Sequence, residues 1–496
     1  MIKGLLLLLA ALALWLALLW FGLAPDFSAW SNLALLAVHA LPPMAAWLGW
    51  WLLRRRALKR QAAEAGQREQ QAQAEREAAL AAARDKHRDE LRQRRFSCDC
   101  RVVTIAELVV KSDESVVPAE VPSVLVEAKG DANAPAVAGD VLERMQPALE
   151  SALRNLYATC GAAAVFPIYV LPPAEASGEE VIRRVRTANR MLLDELGLAV
   201  ELDAGQPNVL FLPSSDSAAN SVISLFETTP DLPGAVVLAF DSARSRVPPQ
   251  DEFLDSEPDP ERLRMEKQLG QPSEGVFALL VTHAALPSML NAIVGSPDIT
   301  GEHHSLTPYW DKAMQPGGNL ALLTRMAPEL REELASLPVL AHIHRAAFTQ
   351  TEARHQRVLE LTRAMQSLLE RAQLNAGLIE QPFMFEGADM EPVEDKPPTA
   401  EPKCGWLVHN AGGVDYAGSR LAALGSAMMY FDIDLNPIDM ATNVVTRIGD
   451  LGRACPIGML ALTVAQAAAH KLPALCSEFY GQDGIALSFA MPANEV

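Results

Sequence analysis

Two long apolar runs open the chain. Leu5 to Ala24 is twenty residues without a charge, and Leu33 to Leu53 carries only His39 as a titratable group. At 1.5 Å per residue, each is long enough to cross a hydrocarbon core of about 30 Å. Pro25-Asp26-Phe27-Ser28 supplies a polar turn between them. The pattern therefore predicts a transmembrane helical hairpin over residues 1–53. A cleaved signal peptide ending near Ala24 competes for the first run, but that run exceeds a usual signal core and a second run follows it. Residues 54–95 are rich in Ala, Gln, Glu and Arg, with no Pro and only Gly66, a composition of strong helix formers. Apolar residues larger than Ala are nearly absent there, so no coiled-coil seam is written into it. We read a charged helical stalk.

From Phe96 the periodicity changes. Short β-branched or apolar runs over 98–105, 163–171, 208–212, 235–241, 275–282, 405–409 and 485–491 read as strands. Between them, residues 141–159, 179–196, 218–227, 352–378, 419–431 and 456–470 carry apolar positions at helical spacing or an Ala-rich apolar composition. Gly197 falls where a glycine closes a helix. Strand and helix in alternation predict layered α/β structure. Pro248–Pro260 is acidic and Pro-rich, an exposed excursion by composition, and residues 387–402 read as a linker. The organisation expected is a first α/β half over 96–386, the linker, and a second α/β half over 403–496.

Charge sharpens this division. The 496-residue chain has a net charge of −19, yet residues 1–95 are net +6 and the remainder net −25. Five positive charges crowd Arg54-Arg55-Arg56-Ala57-Leu58-Lys59-Arg60, and Lys3 precedes the first run. Positive flanks stay in the cytoplasm, so the α/β region is expected to face the cytoplasm from the inner membrane. So acidic a region argues against nucleic acid as a partner, because phosphate binding is driven by Lys and Arg. It suits solubility or a basic protein partner.

Candidate chemistry is sparse. Six cysteines are scattered at 98, 100, 160, 404, 455 and 476, which reads as reduced thiols rather than a disulfide framework. Cys98-x-Cys100 has neither redox nor zinc spacing. His303-His304 and His342-x-His344 make a metal site only if the fold unites them, and packing roles are favoured. No nucleophile elbow, zincin or phosphate-loop pattern occurs. Two glycine turns stand out, His409-Asn410-Ala411-Gly412-Gly413 and Ile448-Gly449-Asp450-Leu451-Gly452 running into an apolar helix. The second could present N–H groups to an anion, but Asp450 would repel one, so close packing is the expected role. No catalytic, cofactor-binding or metal-binding residue is assigned.

Two resemblances follow from particular residues. Asn410, Arg420, Thr442-Asn443-Val444, Gly449-Asp450-Leu451-Gly452 and the last strand Ala486 to Met491, with Glu274 to Val281 earlier, resemble a thiolase-like or ketoacyl-synthase-like fold. That resemblance implies a thiolase-like layered α-β-α architecture. Condensing members need an activated Cys and catalytic His residues. No His lies in the Gly449–Gly452 turn, and Cys160 lacks the nucleophile's usual neighbours, so the resemblance implies a pseudoenzyme. From Phe96 onward the chain also resembles the type VI secretion lipase adapter family, through Phe166-Pro167-Ile168-Tyr169-Val170-Leu171-Pro172-Pro173, Ile448 to Gly452 and Ala461 to Ala469. It implies a protein-binding adapter whose partners are a lipase effector and the secretion spike protein, with no cofactor. The rival expectations are an acyl-thioester enzyme and a structural inner-membrane protein that forms a homo-oligomer through its stalk.

Overall fold

The computed structural model describes residues 2–23, 31–110, 116, 121–127, 140–198, 208–246, 267–293, 318–350, 358–380, 404–480 and 484–493. The Pro25–Ser28 turn, the Pro248–Pro260 excursion, His303-His304 and the 387–402 linker lie outside the described residues.

The chain divides into two units, Met1–His87 and Arg88–Val496. In the first, helix α1 (Ile2–Ala17) continues as a π-helical stretch, Leu18–Leu23. Helix α2 runs unbroken from Asn32 to Arg94, 63 residues and about 95 Å at 1.5 Å per residue, passing through Pro42-Pro43. The second apolar run and the stalk are thus one rod, with no break at Arg54. Ala, Gln, Glu and Arg continue the helix that the apolar residues begin, and nothing in the sequence stops it. The Trp15 indole donates to the Val38 carbonyl at 2.8 Å, tying α1 to α2. Leu14, Phe21, Leu36 and Leu53 are largely exposed, Phe21 at 91%, an apolar surface that water does not favour. By length and composition α2 qualifies as a membrane-crossing helix, while Leu9–Phe21 is a shorter apolar helix.

The second unit is built on one mixed sheet of twelve strands. In its first half lie β1 (Ser97–Ala106), β2 (Val124–Glu127), helix α3 (Val141–Thr159), β3 (Ile168–Leu171), α4 (Gly178–Glu195), β4 (Val209–Phe211), α5 (Ala218–Thr228), β5 (Gly234–Ser242) and β6 (Glu274–His283). Helices α6 (Leu286–Ile293) and α7 (Pro328–Ser336) follow. Then come β7 (Ala341–His344), β8 (Ala347–Gln350), α8 (Val358–Ala376), β9 (Trp406–His409), α9 (Val414–Tyr430), β10 (Ala441–Asn443), α10 (Cys455–His470), β11 (Ala474–Tyr480) and β12 (Gly484–Pro492).

The sheet order is β10-β9-β11-β12-β7-β1-β6-β5-β3-β4, with β2 on β1 and β8 on β12. Read outward from the β1–β7 junction, the two sides repeat one plan. β6 and β12 are antiparallel to their neighbours on both sides, and the outer three strands of each side are mutually parallel. Parallel strands need a crossover, here supplied by α4 and α5 on one side and by α9 and α10 on the other. By hydrogen bonding, β7 links β1 to β12, and β8 pairs with β12.

Three buried clusters follow from this plan. One packs α3 and α4 on the first side, one packs α8 and α9 on the second, and the third holds α5 and α10. Every residue of α10 from Ile457 to Ala467 is buried, as expected of a helix apolar all round. Strand β5 is buried throughout, as a sheet covered on both faces requires. The expected α/β layering is therefore present.

Candidate functional site

Alternation along β11 sets the site. Ala474 and Cys476 face the cluster around α5 and α10, while Leu475 and Phe479 face the cluster around α8 and α9. By the same period of two, Glu478 and Tyr480 point with Cys476 toward α5. Glu478 is 2% exposed. Its Oε2 accepts the Ala218 N–H at 3.2 Å at the first turn of α5, and it also accepts the Tyr480 hydroxyl. Ser217 caps the same helix, its hydroxyl accepting the Asn220 N–H at 3.1 Å.

Beside Glu478 lies a cavity of about 180 Å³, lined by Asn410, Arg420, Asp450, Cys455, Met459 and Phe479 among others. Asn410 clamps the end of β11: its Oδ1 accepts the Phe479 N–H at 2.7 Å, and its Nδ2 donates to the Phe479 carbonyl at 3.2 Å. The Arg420 guanidinium lies over the Phe479 ring, 5.1 Å from the centroid. Burial pushes the Glu478 carboxyl up to about 7, further raised by Asp216, while the Tyr480 and Ala218 hydrogen bonds pull the other way.

The glycine turn before α10 borders this cavity. Gly449 and Gly452 have φ of +113° and +57°, in the region that favours glycine. The turn's N–H groups are met within the protein: Gly452 donates to Asp450 Oδ1 and Arg453 to Asp241 Oδ2, while Gly449 and Asp450 donate to the Val444 and Gln271 carbonyls, each at 2.8 Å. It therefore serves close packing, not an anion. A Cβ on Gly270 would meet the Gly449 Cα at 2.8 Å and collide with the Val445 carbonyl.

The thiols share one fate. Burial is the largest cause raising all six cysteines, with Cys160 pushed up to about 11 and Cys404 and Cys455 to about 12. Cys455, at the first turn of α10, feels Asp450 and Glu478 on top of burial. Cys98 and Cys100 lie on β1 in the central cluster, as core residues.

Of the histidines singled out, His342 and His344 share strand β7. His342 Nδ1 lies 2.7 Å from Asp99 Oδ1. His344 is two residues further along β7, and burial holds it down to about 4. Among the described residues no three potential ligands gather into a metal site. The sequence motifs single out Asn410, Arg420 and Asp450, and the structure brings these three to one cavity. Those motifs miss Glu478 and Tyr480. Their signal was the alternation in Ala474-Leu475-Cys476-Ser477-Glu478-Phe479-Tyr480, with a carboxylate on the apolar phase.

No family model matches the sequence, and no curated protein matches it. Solved structures do. An oxazolomycin ketosynthase domain from Streptomyces albus is 13% identical, covers 81% of this chain and 96% of its own, and has a TM-score of 0.39. The 3-oxoacyl-[acyl-carrier-protein] synthase III of Aquifex aeolicus is 10% identical over 79% of this chain and 99% of its own, with a TM-score of 0.37. The type III polyketide synthase domain of Steely1 from Dictyostelium is 11% identical over 71% and 77%, also at 0.37. The likeness concerns the layered α/β fold, and no chemistry passes through it to this chain. What the chain itself shows is a mixed α/β unit built on one twelve-stranded sheet.

Proposed function

We propose that this protein is a membrane-tethered adapter that binds a lipase effector and helps load it onto the type VI secretion spike, without catalysing a reaction of its own. The observation that carries the reading is the Glu478 carboxylate at the first turn of α5. A helix N-terminus in a buried layer is where a thiolate would be stabilised. At α5 that place is taken by a carboxylate, Cys455 at the first turn of α10 lies near Asp450 and Glu478, and burial raises every thiol in the chain. Such a site suits binding and not thioester chemistry. The apolar exposed helices of residues 2–94 supply the tether, and the resemblance to the lipase adapter family supplies the partners.

The test is co-elution. The full chain in detergent micelles is passed over a sizing column with a type VI lipase effector and a type VI spike protein. Retention of the lipase in the adapter peak is expected, and separate elution of all three would overturn the reading. Iodoacetamide kinetics on the folded protein address the acyl-thioester rival. All six cysteines should react more slowly than glutathione, and one reacting faster would favour the enzyme.

A further inference from the structure

Helix α2 gives up two of its own hydrogen-bond donors inside its apolar run. Proline has no N–H, and Pro42 and Pro43 stand side by side within the helix. The Val38 carbonyl would take its α-helical hydrogen bond from residue 42, four positions on, and a π-type bond from residue 43. Neither proline can give one. In a soluble helix water meets such a carbonyl, whereas hydrocarbon supplies no donor, and an unpaired backbone group there is costly. The Trp15 indole N–H donates to the same carbonyl at 2.8 Å. That N–H is the only hydrogen-bonding group of a tryptophan side chain. A second contact joins the two helices, Trp20 meeting His39 edge-on with ring centroids 6.3 Å apart. Leu19 and Pro43 are buried, while Leu9, Leu14, Leu36 and Met44 are exposed.

We propose that Pro42-Pro43 creates an acceptor site on α2 that Trp15 fills, so that the two apolar runs close in lipid as one locked hairpin. Trp15 is the positioning residue of the tether: its indole replaces the donor that the prolines remove. Lipid makes the lock strict, because in water the Val38 carbonyl has other donors. The bond also sets the register. Lys3 is twelve residues before Trp15 and Trp50 is twelve after Val38, so an antiparallel pair brings Lys3 level with the residues leading into the basic run at Arg54. The positive charges at the two ends of the hairpin then act at one membrane face, and α1 and α2 take their orientation together. The inference rests on residues 2–53 lying in the bilayer, and it needs no lipase or spike protein.

Spin-label distances on the full chain in phospholipid bicelles test it. Nitroxides are attached at Leu9→Cys and Met44→Cys, both exposed positions, and the chain without these substitutions gives the background of the native thiols. One narrow distance population is expected. Trp15→Phe keeps an aromatic ring and loses the donor, and should raise the ratio of open to closed hairpin about three- to tenfold. Pro42→Ala returns an N–H to position 42, so the Val38 carbonyl is met within α2. In that background Trp15→Phe should move the ratio by less than about twofold, since the two changes remove one interaction. The lock is overturned if Trp15→Phe leaves the parent's distances unchanged, or if it opens the hairpin equally in both backgrounds, as a mere packing group would. Alkaline carbonate separates the underlying reading. A parent released from membranes overturns tether and lock together, whereas a parent that stays and fails the distance test overturns the lock alone.

Discussion

His409 has both ring nitrogens committed to the backbone. Its Nε2 lies 2.8 Å from the Pro437 carbonyl, and its Nδ1 accepts the Ala411 N–H at 3.3 Å. A second proton on the ring would face that N–H, and burial pushes the group down to about 4 despite the Pro437 hydrogen bond. The folded value lies below the unfolded one of about 6.5, so the native state holds fewer protons between these values. Stability from this residue is therefore fully present above pH ~6.5 and is lost as pH falls toward 4. His344 acts in the same direction. The urea midpoint should fall over that window, and His409→Gln, which keeps a donor for Pro437, should flatten the fall; an unchanged slope would remove His409 from the account. At about 1.4 kcal/mol per pH unit, His409 contributes at most roughly 3 kcal/mol. Glu478 runs the other way. Its folded value is raised to about 7, so its contribution is present below pH ~4.5 and is lost as pH rises through 7. Glu478→Gln should therefore be more stable than the parent at pH 8, by about 1–3 kcal/mol, and should converge with it near pH 4. Thermal melts at both pH values measure this.

At the scale of elements, two glycines should respond oppositely to one added methyl. Gly452 has φ of +57°, and a Cβ there would collide with the Asp241 carboxylate and Arg246, which pair at 2.8 Å. Gly452→Ala should cost about 2 kcal/mol or more. Gly66 lies within α2 with nothing within 4 Å of an added Cβ, so Gly66→Ala should raise helix stability by about 0.5–1 kcal/mol. Circular dichroism melts separate the two. The same contrast explains what the sequence disclosed. Periodic stretches were legible: α3 spans Val141–Thr159 as its Leu142, Met145, Leu149, Leu153 and Leu156 spacing predicts, and α4 ends where Gly197 takes φ of +65°. The pattern over 163–171 predicts one strand, but Gly161–Val165 turns as a 3-10 helix and only Ile168–Leu171 pairs, because the Ala-rich start lacks β-branched side chains. The helix expected over 352–378 begins in the described residues at Val358. Strands β7, β8 and β11 went unread. Their His, Gln, Ser and Glu residues hide strands whose place is fixed by distant partners, not by local pattern. The candidate site inherits that gap, since Glu478 and Tyr480 sit on β11.

At the scale of the whole molecule, charge and apolar surface divide the sequence in the same way. Residues 1–95 are net +6 and the rest net −25; the leucines and tryptophans of α1 and α2 are exposed, whereas the second unit closes three apolar cores. Full-length protein should sediment with membranes and resist both high salt and alkaline carbonate, because apolar contact with lipid is not screened by ions. The fragment Arg88–Val496 retains Arg95, whose guanidinium donates to the Leu374 and Ile379 carbonyls at 2.9 and 3.1 Å, and should remain in the supernatant. Orientation rests on a separate feature, the five positive charges between Arg54 and Arg60, two of them stacked on Trp50 and Trp51 at 5.1 and 5.2 Å. If those charges hold the end of the apolar stretch at the cytoplasmic face, a fluorescent protein active only in the cytosol and fused after Val496 should be bright. Replacing all five with Gln should dim it and light a periplasm-active reporter in part of the population. A dark cytosolic fusion on the unaltered chain would put the acidic unit on the other side of the membrane, away from any partner loaded inside the cell.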